Sequence, residues 1–384
     1  MQIYLDISRL CRRLLQKERP TGVDRVSLAY VRHYQDNALA VLSENGVHVI
    51  LSKANSLRAF DWLLTQSAAN TGRLRWLIGQ AILASGFSPT PAPGILLHTA
   101  HSGVESPRYF RSLRRKGIRV AFMVHDLIPL THAEYARPDT PARHARRIDT
   151  VLNHAAGIIA NSGATLTSVV DYARSTGAPM PPTVTARLAP AITYRGEISH
   201  DPVGAPFFLM LGTIEPRKNH WLMLHIWRRL VELRGADAPM LVIVGRRGWE
   251  CENVIDMLER CSELRGFVIE KPDCDDEYLY QLLQHARALL FPSFVEGYGM
   301  PLAEALALSV PVLASDLAVF REIAGDIPDY LDPLDGNGWL DRIQNYAAAP
   351  CTARDEQLAR IKRFNEPTWT QHFEAVDNFL PTLG

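Results

Sequence analysis

Two carboxylates, Glu296 and Glu304, bracket a turn built on Gly297 and Gly299. Before the turn, the apolar run Ala288 to Phe291 predicts a buried strand. After it, Met300 to Leu308 carries a helical pattern, and Val310 to Ala314 predicts a further strand. In such a βαβ unit the turn joins the C-terminal end of a parallel strand to a helix N-terminus, where open α/β sheets bind ligands. Its N–H groups and the positive end of the helix dipole favour a phosphate. Glu296 is expected at the mouth of that site. Glu304 is expected about one helical turn in, facing the same ligand. Spacing alone leaves a second reading open, with Glu304 a solvated helix residue and Glu296 a loop carboxylate.

Other residues repeat this plan. Arg217 and Lys218 sit between the apolar segment beginning at Phe207 and a helix expected over Trp221–Arg234. Two adjacent cations at such a turn suit a diphosphate, or form a helix-start surface pair. Gly22 opens a helix expected to run to about Tyr34, either as a phosphate-turn glycine or as a simple turn. His125 closes the apolar strand expected over Arg119–His125, as a ligand-facing or a core histidine. His98 and His101 close the preceding strand and read first as structural, with an acceptor pocket as the alternative. Asp273-Cys-Asp275 precedes a helix, where carboxylates cap N–H groups, and no dedicated metal site is expected.

These residues need two nucleotide-type folds to hold them. At 384 residues, the chain is long for one core. Strands are expected at 2–7, Val47–Leu51, Ile95–His98, Arg119–His125 and Gly157–Ala160, and over Thr183–Leu188. Helical spacing covers Leu57–Ala84, and a Pro-rich loop Phe87 to Gly94. The polar segment Ala189–Pro206 reads as a linker. The expected division is an N-terminal domain 1–195, a second domain 196–366, and a final amphipathic helix within 367–384. The second domain continues with strands at Met240–Gly245 and Phe267–Glu270.

Composition adds limits. The five cysteines show no C-x2-C pair, which fits a reducing compartment and predicts neither a disulfide framework nor a zinc site. No signal peptide or membrane span is read from the sequence. The net charge is zero, yet residues 1–195 hold 24 Lys+Arg against 12 Asp+Glu, and residues 196–384 hold 17 against 29. The basic half reads either as an ordinary solvated surface or as the partner of something anionic, such as a membrane face or a diphosphate lipid. Without a recognition motif, nucleic acid is not an expected partner.

The stretch from Glu296 to Glu304 resembles the E-x7-E signature of the retaining glycosyltransferases of family 4, which have the GT-B fold. Phe291-Pro-Ser before it and Pro311-Val-Leu-Ala-Ser after it agree. Ser309 departs, standing where the family usually has glycine. Gly212-Thr-Ile-Glu-Pro-Arg-Lys-Asn resembles the family's G-T-x-E-P-R-K-N, whose arginine and lysine bind donor phosphates. Asp6-Ile-Ser-Arg-Leu followed by Thr21-Gly-Val-Asp-Arg-Val resembles its glycine loop.

The resemblance implies two Rossmann-like domains facing across a cleft, with the last helix crossing back to the first domain. It implies an N-terminal acceptor domain and a C-terminal domain holding a nucleotide sugar. Gly22, Gly212, Thr213, Arg217, Lys218, Gly297, Tyr298, Gly299, Met300 and Glu304 would bind the donor, Glu304 through its ribose. Glu296 would take the sugar hydroxyls, and His125 the sugar's far edge. With Arg217 and Lys218 these form the expected catalytic set, needing neither a metal nor a cofactor. The implied reaction transfers a hexose with retention to a glycan or polyprenyl-diphosphate-linked acceptor in surface polysaccharide synthesis. The form of the Arg217–Lys218 motif leans toward mannose from GDP-mannose. The expected location is the cytoplasm or the inner face of its membrane. Two other readings stay open: a GT-B sugar-nucleotide epimerase or hydrolase, and a non-catalytic sugar-nucleotide-binding subunit.

Overall fold

A computed structural model describes residues 1–66, 70–84, 91–192, 196–198 and 201–384, with the side chains of 81–84 left aside. Parts of the expected helical stretch 57–84, the Pro-rich loop and the linker, with the 195/196 boundary, lie outside the described residues. The chain folds as two compact units.

Unit 1 comprises Met1–Thr131, Asp139–Leu188 and Thr368–Gly384. Its strands are β1 (Gln2–Asp6), β2 (Ala38–Glu44), β3 (Val47–Ile50), β4 (Gly94–His98), β5 (Ile118–Val124), β6 (Gly157–Ala160) and β7 (Thr183–Thr185). Its helices are α1 (Ser8–Leu15), α2 (Gly22–Tyr34), α3 (Lys53–Thr65), α4 (Asn70–Ala84), α5 (Pro107–Arg115), α6 (Ile128–Thr131), α7 (Thr140–His154) and α8 (Gly163–Thr176). The sheet order is β3-β2-β1-β4-β5-β6-β7, parallel except for β3 against β2. Order reverses beside β1, the switch point of a doubly wound sheet. β2 was missing from the sequence reading because its Ser43 and Glu44 end breaks the apolar run. Asn45-Gly46, both at positive φ, turn it into β3, as hairpin chemistry requires. Cys11 to Pro20, read as a loop or short helix, begins inside α1, which buries Leu10, Cys11 and Leu14. The last strand stops at Thr185, short of the expected Leu188.

Unit 2 comprises His132–Pro138 and Ala189–Pro367. Its strands are β8 (Phe207–Leu211), β9 (Met240–Val244), β10 (Val268–Lys271), β11 (Leu289–Phe291), β12 (Val312–Ser315) and β13 (Asp329–Leu331). Its helices are α9 (His220–Arg234), α10 (Glu252–Arg260), α11 (Asp276–His285), α12 (Met300–Ala307), α13 (Ala318–Ala324), α14 (Gly336–Ala347) and α15 (Thr352–Ile361). The six strands run parallel in the order β10-β9-β8-β11-β12-β13. β8, β11 and β12 are buried throughout, as strands covered on both faces must be. The sequence reading gave no helix over 252–260, where Val254 alone is buried.

The segment His132–Pro138 leaves unit 1 to pack within unit 2. Tyr135 stacks on Phe294 with ring centroids 5.4 Å apart, and its carbonyl accepts from Trp249 Nε1 at 3.3 Å. The Arg137 guanidinium lies 5.5 Å over the Trp249 ring.

The last helix, α16 (Trp369–Phe379), belongs to unit 1. A Cβ on Gly157 would meet Phe379 at 2.7 Å, so this glycine lets the helix seat. His372 is buried there; Nδ1 lies 3.0 Å from the Arg187 carbonyl and Nε2 2.9 Å from the Tyr30 hydroxyl. Burial pulls its pKa down to about 4. The fold therefore prefers the neutral ring. Its contribution is complete above about pH 6.5 and is lost as pH falls through about 4, a loss of roughly 3 kcal/mol. Denaturant unfolding across that window should show a smaller fall for His372→Phe than for the unsubstituted chain. Parallel pH curves for the two proteins would contradict this assignment.

Candidate donor site

The candidate residues of unit 2 gather at the carboxyl ends of β8 and β11. After β8 the chain turns at Gly212 (φ 130°). A Cβ on Gly245, at the end of β9, would lie 1.8 Å from the Gly212 carbonyl oxygen. The two loops thus approach as backbone against backbone, which only glycine permits. Thr213 and Ile214 lead to a short turn, Pro216–Lys218, and Asn219 (φ 58°) launches α9. This turn aims Arg217 and Lys218 at the loop after β11.

There the two cations meet two carboxylates. Lys218 Nζ lies 2.5 Å from Glu296 Oε1, and Arg217 Nη1 lies 2.7 Å from Glu296 Oε2. Arg217 Nη2 lies 2.6 Å from Glu215 Oε1. Ser293 Oγ donates to Glu296 Oε1 at 2.8 Å. The Lys218 stem runs beside Gly212, and its ammonium sits 4.7 Å from the Phe291 ring centroid. All four charged side chains are at least four-fifths buried. Burial alone would raise the Glu296 carboxyl, but Arg217 and Lys218 outweigh it and hold the pKa at about 2. For Glu215 burial wins over the cations, and its pKa rises. Formally the four charges cancel. Desolvated charges require this pairing, and it fixes both cations in place.

The glycine turn is equally constrained. Gly297 and buried Tyr298 lead to Gly299 (φ 108°), which caps α12, and Met300 is the first helical residue. A Cβ on Gly299 would stand 2.6 Å from the buried Phe320 ring. Gly299→Ala is therefore expected to cost about 2–4 kcal/mol, from left-handed strain and overpacking together. Urea unfolding measures it, and a loss under about 1 kcal/mol would show that the turn relaxes freely.

For Glu304 the solvated reading falls away. It lies in the second turn of α12, is buried rather than solvated, and its Oε1 accepts from the Ala191 amide at 3.2 Å. That hydrogen bond ties the helix to the start of the linker. Asp275 caps α11 by accepting from Tyr278 N at 2.8 Å. Among the described residues, no group of three His, Cys, Asp or Glu is placed to hold a metal ion.

Gly22 and His125 lie in unit 1. Gly22 is the first residue of α2, after a capping box in which Asp24 Oδ2 accepts from the Thr21 amide and hydroxyl. Asp24 also holds Arg9 at 2.6 Å and Arg13 at 2.8 Å. Sequence reasoning assigned these two arginines no partner within the chain and did not reveal this buried anchor, although T-x-x-D is a cap signal. His125 is buried. Its Nε2 bonds the Thr99 carbonyl at 2.8 Å, and burial pulls its pKa down. The ring is therefore a neutral imidazole with Nδ1 as acceptor. His101 stands 5.2 Å from it, centroid to centroid, and is likewise held neutral by burial and its histidine neighbours. His98 belongs to the core, beside Phe110 and Phe122.

Two doubly wound α/β units in one chain are the architecture of the GT-B fold. Residues 197–328 are similar to the family described as Glycosyl transferases group 1. The chain is 30% identical over 323 residues to the serotype-specific mannosyltransferase WbdA of Escherichia coli, a match covering 74% of this chain and 36% of the relative. The O-antigen chain mannosyltransferase B of E. coli is 36% identical over 134 residues, covering 34% of this chain and 33% of the relative. The O-antigen chain mannosyltransferase RfbU of Salmonella typhimurium is 29% identical over 181 residues, 46% of each. The chain spans about a third of the length of the WbdA relatives, 35–36%.

Among solved structures, HepE of Anabaena with UDP and glucose superposes with a TM-score of 0.68 at 15% identity, covering 100% of both chains. Sucrose-phosphate synthase from Thermosynechococcus elongatus gives 0.66 at 16%, covering 100% and 99%.

Proposed function

We propose that the protein is a retaining glycosyltransferase that moves a hexose from a nucleotide sugar to a hydroxyl of a glycan or polyprenyl-diphosphate-linked acceptor in surface polysaccharide synthesis. The observation that carries this is the buried Arg217–Lys218–Glu296 cluster at the carboxyl edge of the unit 2 sheet. Mannose from GDP-mannose is the favoured donor, supported by relatives that are named mannosyltransferases. As the diphosphate leaves, charge grows on its oxygens. Cations already fixed by Glu296 and Glu215 meet that charge without reorganising. Glu296, saturated on its cation side, orients sugar hydroxyls. Lys218 and Arg217 supply the countercharge that a metal provides elsewhere, so transfer should survive chelation. Glu304, Gly22 and His125 are assigned to the donor by motif resemblance. The reaction runs on the cytoplasmic side, and the basic helix α5 suits an anionic membrane surface.

The test is direct. Equilibrium titrations with GDP-mannose, UDP-glucose and their nucleotides identify the donor. Transfer to a lipid-linked saccharide is then followed with and without EDTA, and the product's anomeric configuration is read by NMR. A protein that binds no nucleotide sugar, or yields an inverted linkage, would overturn the proposal.

A further inference from the structure

We propose that unit 1 holds a site for the hydrocarbon chain of a phosphate-bearing lipid, in the cavity between α1, the β2–β3 hairpin and α4. The cavity measures about 430 Å³, with walls formed by Cys11, Leu15, Leu42, Val47, Val49 and Ile78. That lies within the range of small-molecule sites and far exceeds the voids that native packing leaves. It opens beside the carboxyl ends of β1 and β2, the edge where α/β sheets take ligands.

The polar atoms of its floor are already satisfied. Ser8 and Ser43 hydroxyls lie 3.1 Å apart, and Ser43 donates to buried Asp6 at 3.0 Å. An apolar occupant therefore strands no hydrogen-bonding group there. Its rim is cationic. His48 lines the cavity and contacts Lys116 Nζ at 3.3 Å. Lys116 ends α5, which buries Tyr109, Phe110 and Leu113 and turns Arg108, Arg111, Arg114 and Arg115 to solvent. Glu44, the acid at the rim, is paired with Arg12 at 3.0 Å. Burial and Lys116 keep His48 neutral, with a pKa of about 4. Apolar walls beside unbalanced cations match a lipid chain with an anionic head. The inference deepens the proposed function by placing the acceptor's lipid carrier, while its test needs no donor.

Isothermal titration of the full chain with farnesyl monophosphate, farnesol and inorganic phosphate tests it. Farnesyl phosphate should bind, farnesol about tenfold more weakly, and inorganic phosphate without measurable heat. Leu42→Trp, which fills the cavity, should weaken farnesyl phosphate at least about tenfold and leave GDP binding unchanged. Lys116→Glu should weaken farnesyl phosphate and spare farnesol. Should Leu42→Trp fail to fold, Val47→Glu, at an exposed position of the cavity wall, should weaken farnesyl phosphate in its place. No farnesyl phosphate binding, binding matched by inorganic phosphate alone, or binding indifferent to both Leu42→Trp and Val47→Glu would overturn the proposal. Farnesyl phosphate binding without any nucleotide-sugar binding would support this site and remove the donor reading. The reverse result would remove this site alone.

Discussion

Replacing Glu296 with glutamine is expected to slow transfer by on the order of 10³-fold while nucleoside diphosphate binding is unchanged or tighter. Glutamine keeps the shape that Ser293, Arg217 and Lys218 surround. It removes the charge, so the four-residue set goes from neutral to positive. An anionic diphosphate gains from that change; a sugar needing a fixed carboxylate loses. The same carboxyl stabilises the fold. Its pKa of about 2, against an ordinary value near 4.5, corresponds to about 3 kcal/mol. The shift is downward, so this stability is full above about pH 4.5 and lost as pH falls through about 2. Unfolding curves for Glu296→Gln and the unsubstituted chain should therefore differ at neutral pH and converge in acid. Transfer assays, GDP titrations and those curves read the three effects separately. Unimpaired transfer would remove Glu296 from the reaction.

Lys218→Met should weaken nucleotide-sugar binding by about 10- to 100-fold, the worth of one charge-assisted hydrogen bond. Methionine keeps a flexible apolar stem, so contacts beside Gly212 and Phe291 survive. What disappears is the ammonium. Glu296 then keeps Arg217 and Ser293 as partners, which limits the structural damage. Lys218→Arg serves as the control, restoring charge but not shape. Comparing dissociation constants with thermal unfolding separates lost binding from lost folding. A normal dissociation constant for Lys218→Met would place the diphosphate elsewhere.

The sheets were legible because their strands are short apolar runs followed by turn residues. The glycine turn and Arg217–Lys218 stood out because their motifs are contiguous. Partners distant in sequence were not legible. Nothing in spacing showed that Glu215 and Glu296 would neutralise the two cations, or that Asp24 would gather Arg9 and Arg13. Glu304 looked as much like a solvated carboxylate as a ligand-facing one, since a helix face is decided by its neighbours. Ser309 was flagged only as a departure from glycine. In the structure it adopts φ 59°, and Val310 N bonds back to Ala305 O at 2.8 Å. That left-handed helix end explains why glycine suits the position.

The path of the backbone has a consequence for chimeras. The chain passes from one unit to the other after Thr131, Pro138, Leu188 and Pro367. Neither half is one uninterrupted stretch of gene, so recombination at a lone breakpoint severs at least one of them. A graft bringing in a foreign residue 189–367 segment must bring its own counterpart of His132–Pro138, or Trp249 and Phe294 lose the Tyr135 and Arg137 that cover them. Sequence drift at Tyr135 should accordingly track Trp249 and Phe294, which it touches in space, rather than its neighbours along the chain.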